Sequence, residues 1–506
     1  MKKHSLSISL LLCVLLLCGC AKKVEFANGK IDSETDSIAI VINEGETALL
    51  DSLPMLKSAD LSGSSNLDEI MEWGQKHSDV ELVYTVTLPD GSVVDNSVKS
   101  LDLSPLDSAD YGAALELFKY LPELESLSFG KKLSASELSV FCSVYPELNY
   151  DCEISLGGKS FSSDVRKLEF IGADDALCAE LEMVLPALDK LEFVELGDEQ
   201  SSPLLSRKAI RALQQARPEA DFAYAFTLYD LPFSTLSTEM DIKYIRIYDE
   251  GAEVKDVLSI MPRLEVLDMD SCKVSDEAMA DIRDTYPNVN VIWRVWFGDN
   301  YCVRTDVEKI LASMPSGGGE ITSRNYQGLF YCTKVKYLDI GHNESLDDIS
   351  FISCMPDLEV AILAMGDFSD ISVLAQCPKL EFLEIQTTNV TDLSPLSGLT
   401  NLRHLNIGHL FELTDISPIM DLELERLWIG CLSPVPVEQV EEYKRLHPDC
   451  AVNNTTYDPH EEGWRYAYGD VTGWHPRYAL LVEQFGYDSA AYAFPWKDPL
   501  YPRWLY

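Results

Sequence analysis

The sequence predicts an α/β solenoid, with a parallel β-sheet lining the concave face and helices or short turns on the convex face. Three observations carry this reading. Leu-x-x-Leu-x-Ile and its variants begin at Val335, Leu358, Leu380, Leu402 and Leu424, at intervals of 23, 22, 22 and 22 residues. A second phrase opens strand-like segments further upstream, at Leu53-Pro54-Met55-Leu56, Leu121-Pro122-Glu123-Leu124, Leu185-Pro186-Ala187-Leu188, Met261-Pro262-Arg263-Leu264 and Met355-Pro356-Asp357-Leu358. Third, apolar residues three apart recur before Pro146, Pro218, Pro287 and Pro448. One strand and one return segment cannot bury an apolar side alone, so such units must stack into a continuous sheet.

Met1-Lys2-Lys3 and the apolar run Leu6 to Leu17 have the charged start and short core of a secretory signal, too short to span a bilayer. Residues 1–19 are therefore expected to be a signal peptide. Polar, aperiodic residues up to Asp36 suit a tether, so 20–36 is set apart as a linker.

Over 37–330 the pattern has a long period. Helices are predicted at Leu138 and Phe141, at Ile210 and Leu213, and at Met279 and Ile282, each stopped by a proline that disfavours helical geometry in the residue before it. Ser134 and Glu137 have capping-box spacing. The alternating runs Val80–Leu88, Leu148–Leu156 and Val289–Trp296 read as strands. Pro146, Pro218 and Pro287 lie 72 and 69 residues apart, which divides the region into long supermodules. Ser316-Gly317-Gly318-Gly319 is the candidate hinge. Residues 331–453 hold the regular coils and a closing helix around Val440 and Tyr443, and 454–506 form an aromatic-rich C-terminal segment.

The formal net charge is −43, from 83 acidic and 40 basic side chains. Nucleic acid is excluded as a partner, because backbone phosphates need a Lys/Arg surface. Ten cysteines follow Cys20 without Cys-x-x-Cys or Cys/His ligand spacing, so no metal site is expected. Cys332 and Cys377 occupy coil positions held elsewhere by leucine and are expected to fill the core. Cys302, Cys431 and Cys450 are open to pairing in an exported chain, with free buried thiols the preferred reading.

Leu380-Glu-Phe-Leu383-Glu-Ile385-Gln-Thr-Thr388-Asn-Val390-Thr-Asp392-Leu393-Ser-Pro395-Leu396 resembles the internalin-type leucine-rich repeat of bacterial surface proteins, and its tail phrase recurs as Asp348-Ile349-Ser350, Asp370-Ile371-Ser372 and Asp415-Ile416-Ser417. Leucines fill the coil, Asp with Ser turns the backbone, and Pro fixes the return. The chain departs from the pattern at the asparagine that bonds between coils: Asn343 keeps it, whereas Gly366, Thr388 and Leu410 stand elsewhere, which predicts a broken ladder. Leu17-Cys18-Gly19-Cys20 resembles the lipobox of bacterial lipoproteins, implying that Cys20 is lipidated and anchors the chain to the membrane. With the tail Gly473-Trp474-His475-Pro476-Arg477-Tyr478, the whole chain resembles long leucine-rich repeat lipoproteins of Gram-positive, gut-dwelling bacteria. The resemblance implies an extracytoplasmic, surface-anchored binding protein with no assigned reaction and no cofactor.

Residues between the leucines are expected to line the concave face: Tyr337, Val360, Phe382, His404 and Arg426 in one column, Asp339, Ile362, Glu384, Asn406 and Trp428 in the next. At about 4.8 Å per strand, five coils make one patch roughly 20 Å long. Aromatics flanked by Arg and His suit a protein or peptide ligand, although single exposed apolar residues are also ordinary. The last fifty residues carry 14 aromatics, among them Trp464, Trp474, Trp496 and Trp504. They are expected to cap the last coil, with glycan binding as the alternative. No histidine has a partner set for catalysis, and no nucleophile elbow, phosphate loop or zinc-protease helix occurs, so the expected role is binding rather than a reaction. Asp268 and Asp270 share one strand face, as many solvated acidic pairs do.

Overall fold

A computed structural model describes residues 22–313, 320–457, 464–467 and 470–486. The signal segment 1–19, Cys20, the hinge candidate 316–319, Trp496 and Trp504 lie outside the described residues. Two compact units divide between Ala225 and Phe226.

The first unit opens with an antiparallel hairpin, Lys23–Phe26 with Gly29–Asp32, which buries Phe26 and corrects the expected tether over 20–36 for its described part; the unit then repeats one arrangement. Strands Ser37–Ala39, Ser58–Asp60 and Glu81–Val83 pair in parallel, and an antiparallel hairpin, Thr85–Thr87 with Val93–Asp95, follows. Ser100–Asp102, Ser126–Ser134 and Asn149–Leu156 repeat the parallel pairing and close with a hairpin to Lys159–Ser162. Lys167–Glu169, Phe193–Asp198 and Asp221–Leu228 begin the pattern a third time. The run Val80–Leu88 is therefore not one strand. It breaks at Tyr84, and its second half turns back at Asp90-Gly91, with Gly91 at φ 85°. Leu156 and Lys159 flank Gly157 and Gly158, at φ 57° and 74°, the two left-handed residues that a tight hairpin turn requires.

Helices fall where the apolar spacing put them. Ala135–Cys142 buries Leu138 and Phe141, and Arg207–Ala216 buries Ile210 and Leu213. Ser134 Oγ accepts the Glu137 amide while the Glu137 carboxylate accepts the Ser134 amide, so the capping box forms reciprocally. In the second unit Asp276–Thr285 buries Met279 and Ile282, and Val437–Leu446 buries Val440 and Tyr443.

That second unit contains, after the strand Leu231–Ser234, a three-stranded parallel sheet, Glu239–Asp241, Val266–Asp268 and Asn290–Ile292, and a hairpin, Arg294–Phe297 with Tyr301–Arg304. A seven-stranded parallel sheet follows: Lys309–Leu311, Tyr337–Asp339, Val360–Ile362, Phe382–Glu384, His404–Asn406, Arg426–Trp428 and Ala451–Asn453. Each strand has three residues, and the middle ones, from Ile310 through Leu338, Ala361, Leu383, Leu405 and Leu427, stand opposite one another inside the coils. With one strand and one return per coil at a step of about 22 residues, the chain here is a leucine-rich repeat solenoid.

The return segments work as their composition predicts. Asp348, Asp370, Asp392 and Asp415 each accept the amide of the serine two residues on, at 2.7, 2.8, 2.8 and 2.8 Å, and a short 3₁₀ turn starts there. His342, Met365, Thr387 and His409 take left-handed backbone (φ 61°, 65°, 56°, 56°) at register-equivalent places, and in the next coil the left-handed residue comes one position earlier, at Gly430 (φ 78°). A left-handed residue just past the strand is thus a recurring feature of the coil, met without glycine in four successive coils.

The asparagine ladder is broken as expected. Asn343 accepts the Ile321 amide (2.7 Å) and donates to the carbonyls of Ile340 (2.7 Å) and Ala312 (3.2 Å), while Thr388 returns only to Ile385 (2.8 Å). Strand register nevertheless continues without a shift. At Gly366 a Cβ would lie 2.6 Å from the Phe368 ring, so that ring fills the slot, and Leu410 fills its own as a buried apolar side chain. All ten cysteines after Cys20 are free, with Cys332 and Cys377 wholly buried. Asn343→Ala strands the buried Ile321 amide. The variant is expected to lose about 2–3 kcal/mol of stability in urea unfolding, whereas Thr388→Val costs about 1 kcal/mol or less.

Candidate functional site

Side chains alternate along a strand, so the first and third residues of each three-residue strand share the concave face while the middle one points into the coil. Parallel register places Tyr337, Val360, Phe382, His404 and Arg426 side by side, and likewise Asp339, Ile362, Glu384, Asn406 and Trp428. Both expected columns exist. Their expected openness is corrected: Val360, Ile362, Phe382, Glu384, His404, Asn406, Arg426 and Trp428 are all buried, and Tyr337 is half-buried.

The cover is the chain's own C-terminal segment. Trp464 is fully buried with its ring 5.2 Å from that of Phe382. The helix Pro476–Phe485 packs Tyr478, Leu481, Val482 and Phe485 into one cluster with Leu311, Val360, Ile362, Phe382 and Trp428. Those four helix positions follow the i, i+3, i+4, i+7 stripe of an amphipathic helix. The expectation that the aromatic tail caps the last coil is corrected for its described part: Trp464 and this helix sit on the concave face. Trp474 is 40% exposed and stacks between Tyr466 (4.8 Å, 10°) and Tyr478 (5.5 Å, 25°).

Polar contacts orient the segment. Trp464 Nε1 donates to Glu384 Oε1 at 2.7 Å, and Arg426 Nη1 donates to the Trp464 carbonyl at 2.8 Å with its guanidinium 4.5 Å from the indole centroid. Arg426 Nε donates to His404 Nδ1 at 3.2 Å, which places the imidazole proton on Nε2. Asn406 donates to the Gln386 side chain and accepts the Gly408 amide at 3.0 Å. At one end of the helix Lys309 Nζ donates to the Gln484 carbonyl at 2.6 Å, where a cation suits the helix dipole. At the other end Arg477 lies 5.7 Å over the Phe382 ring and 4.0 Å from Glu381, and His475 Nδ1 accepts the Arg477 amide.

Burial pushes the Glu384 carboxyl above its usual range, against the pull of Arg465, the Trp464 indole and Arg426, and among the described residues Oε2 has no hydrogen-bond partner. Burial, with Arg426, Arg477, His475 and Arg403 adding to it, drives His404 down to about 3. Glu425, 3.6 Å away, is solvent-exposed and too well screened to offset this. His475 is lowered to about 4 by burial and then Arg426. Elsewhere in this unit Asp270 is gripped at both oxygens by Arg294 (3.0 and 2.8 Å), with Arg304 bridging to Asp268 at 3.0 Å. Burial alone would raise Asp270, but Arg294 and Arg304 outweigh it and hold the carboxyl low. A pair tied this way is structural, not a general acid.

No protein-family profile matches the chain, and no curated protein matches it either. Among solved structures it is similar to an internalin (inlF) of Listeria monocytogenes, with 17% identity over 78% of this chain and 89% of that one, at a TM-score of 0.27. A leucine-rich repeat protein of Leptospira interrogans shares 15% identity over 80% of this chain and 91% of its own, at a TM-score of 0.21. The functional domain of InlJ from Listeria monocytogenes shares 13% over 74% and 69%, at a TM-score of 0.23. The solenoid assignment rests on the chain's own strand register, and these likenesses add nothing to it about function.

The histidines and Glu384 titrate with opposite sign. A depressed histidine favours the seated segment above its ordinary value of 6.5, and that contribution is lost as pH falls from 6.5 toward 3 or 4. Glu384, raised in the seated form, favours seating at low pH and opposes it above 4.5. Glu384→Gln isolates the histidines: between pH 7.5 and 5, His404 alone should lower the seated-to-unseated ratio by up to about 30-fold, and by less to the extent that Arg426 and Arg403, on the sheet in both forms, keep it depressed after release. Hydrogen exchange of the 477–485 amides, corrected for intrinsic rate, measures it, and adding His404→Gln should remove that share.

Proposed function

We propose that the chain is a surface-anchored binding protein that takes up a protein or peptide on the concave face of its leucine-rich repeat solenoid, and that a lipid on Cys20 holds it to the outer side of the bacterial membrane. The reading rests on one observation above others: Glu384, His404, Asn406 and Arg426 stand together on a sheet face that already accommodates a polypeptide segment. The face offers that segment a carboxylate for an indole N–H, a guanidinium for a backbone carbonyl, and apolar ground between them. No part of the reading requires a cofactor or nucleic acid.

Glycan binding by the aromatic tail is the second reading, and Trp474 supports it with a partly exposed ring beside Tyr466. Trp464 does not support it, because its ring has no accessible face.

Two experiments test the proposal. The chain starting at Cys20 is offered to cell-surface protein extracts and to a glycan array in parallel, beside Tyr337→Ala/His404→Ala. Protein retention that the double variant weakens about tenfold or more, with unfolding midpoint checked, supports the sheet face. Glycan retention lost in Trp474→Ala and kept in the double variant moves function to the tail. For the anchor, Cys20→Ser in the full precursor is expected to shift the protein from the membrane fraction to the medium and to abolish incorporation of labelled fatty acid.

A further inference from the structure

The two faces of the seven-stranded sheet differ in a way that a permanent core does not explain. The middle strand residues, Ile310, Leu338, Ala361, Leu383, Leu405 and Leu427, are all apolar. The concave columns mix apolar residues with Asp339, Glu384, His404, Asn406 and Arg426; all five are buried, and Trp464 of the C-terminal segment meets Glu384 and Arg426 directly. Burying charge is costly even when paired, and among the described residues one oxygen of Glu384 gains no hydrogen bond in exchange. Such a composition suits a surface that meets water for part of its life.

The cover, for its part, has the form of a ligand. It presents one indole, then a ten-residue helix whose apolar stripe faces the sheet while Leu480 and Glu483 face solvent. The sheet reads both ends of that helix, through Lys309 at its last turn and Glu381 near Arg477. This is helix-in-groove recognition carried out within one chain.

We propose that residues 464–486 are a displaceable intramolecular ligand, and that the partner that takes their place is an amphipathic helix carrying apolar residues at i, i+3, i+4 and i+7 with an indole ahead of it. The inference rests on the reading of the concave face as the working surface and adds its regulation and the chemistry of its partner. In the closed form the face is withheld; a partner helix gains access only when the segment leaves.

The test uses the full chain from Cys20, a second form carrying Leu481→Asp and Phe485→Asp to unseat the helix, and a fluorescein-labelled synthetic peptide of residues 464–486. Fluorescence anisotropy is expected to show the peptide binding the double variant at least tenfold more tightly than the unaltered chain, and Glu384→Ala in the double variant is expected to weaken it again. Equal binding to both forms overturns the latch while leaving the sheet face as a binding surface. No peptide binding to a folded double variant overturns the helix as the recognised chemistry, and retention of surface proteins by that same variant then decides the broader reading separately. Where the double variant fails to fold, hydrogen exchange on the unaltered chain decides. Amides of 477–485 that exchange at least 100-fold faster than those of 382–384 and 404–406 support local release. Exchange of both sets only through global unfolding makes the segment a fixed part of the core and overturns the proposal.

Discussion

Everything in the second unit depends on a column of middle residues in strands only three residues long. Leu338, Ala361, Leu383, Leu405 and Leu427 share the coil interior with other buried apolar residues, as Leu383 does with Leu380, Ile385, Leu393 and Leu396, but a single coil leaves that interior open above and below, so burial depends on neighbouring coils in register. Stability in such a stack is a sum of nearest-neighbour interfaces. The return segments serve that column: an Asp side chain turns the backbone, a left-handed residue follows the strand, and Asn343 stitches its coil to the preceding one. Because the coils satisfy their own polar backbone, they tolerate loss of the asparagine at Gly366 and Leu410 without a shift in register.

A three-residue strand contributes only two side chains to the concave face. The groove is therefore a lattice two residues wide, with columns set by register and not by loop conformation. That rigidity matters for recognition, since groups held on strands keep their separation whether or not a ligand is present. Glu384 and Arg426 lie two strands apart, close enough for one indole to meet the carboxylate through its N–H and the guanidinium through its ring and backbone carbonyl.

Much of this is legible in the sequence. The 22-residue step located the strands, the apolar spacing before proline located helices around Leu138, Ile210 and Met279, and the Asp-x-Ser phrase located the turns. The composition of both concave columns was legible as well. The hairpins were carried by Asp90-Gly91 and Gly157-Gly158 at the end of alternating runs, a signal that reading each run as one strand overlooks. The cover over the groove has no local signal, because periodicity says which face a residue takes and nothing about a segment 80 residues away, the separation of Trp464 from Glu384. Two hints pointed to it: a face holding Val360 and Phe382 in one column and Ile362 and Trp428 in the next is too apolar for open water, and residues 478–485 carry an apolar stripe that must be buried somewhere.

The polar floor beneath the cover decides what kind of contact this is. An apolar groove sealed by an apolar helix would be most stable dry and would have no use for Glu384, His404 or Arg426. Replacing such buried charges by well-packed apolar residues is often neutral or stabilising, so their presence here works against the closed form. They do discriminate: a carboxylate with one satisfied oxygen rewards a chain that brings an N–H and penalises one that does not. The titrations follow from the same arrangement, since the closed form disfavours a protonated His404 and an ionised Glu384 together. Seating is thus strongest where neither penalty is large, and any partner that replaces the segment meets the same two requirements at the same two strands.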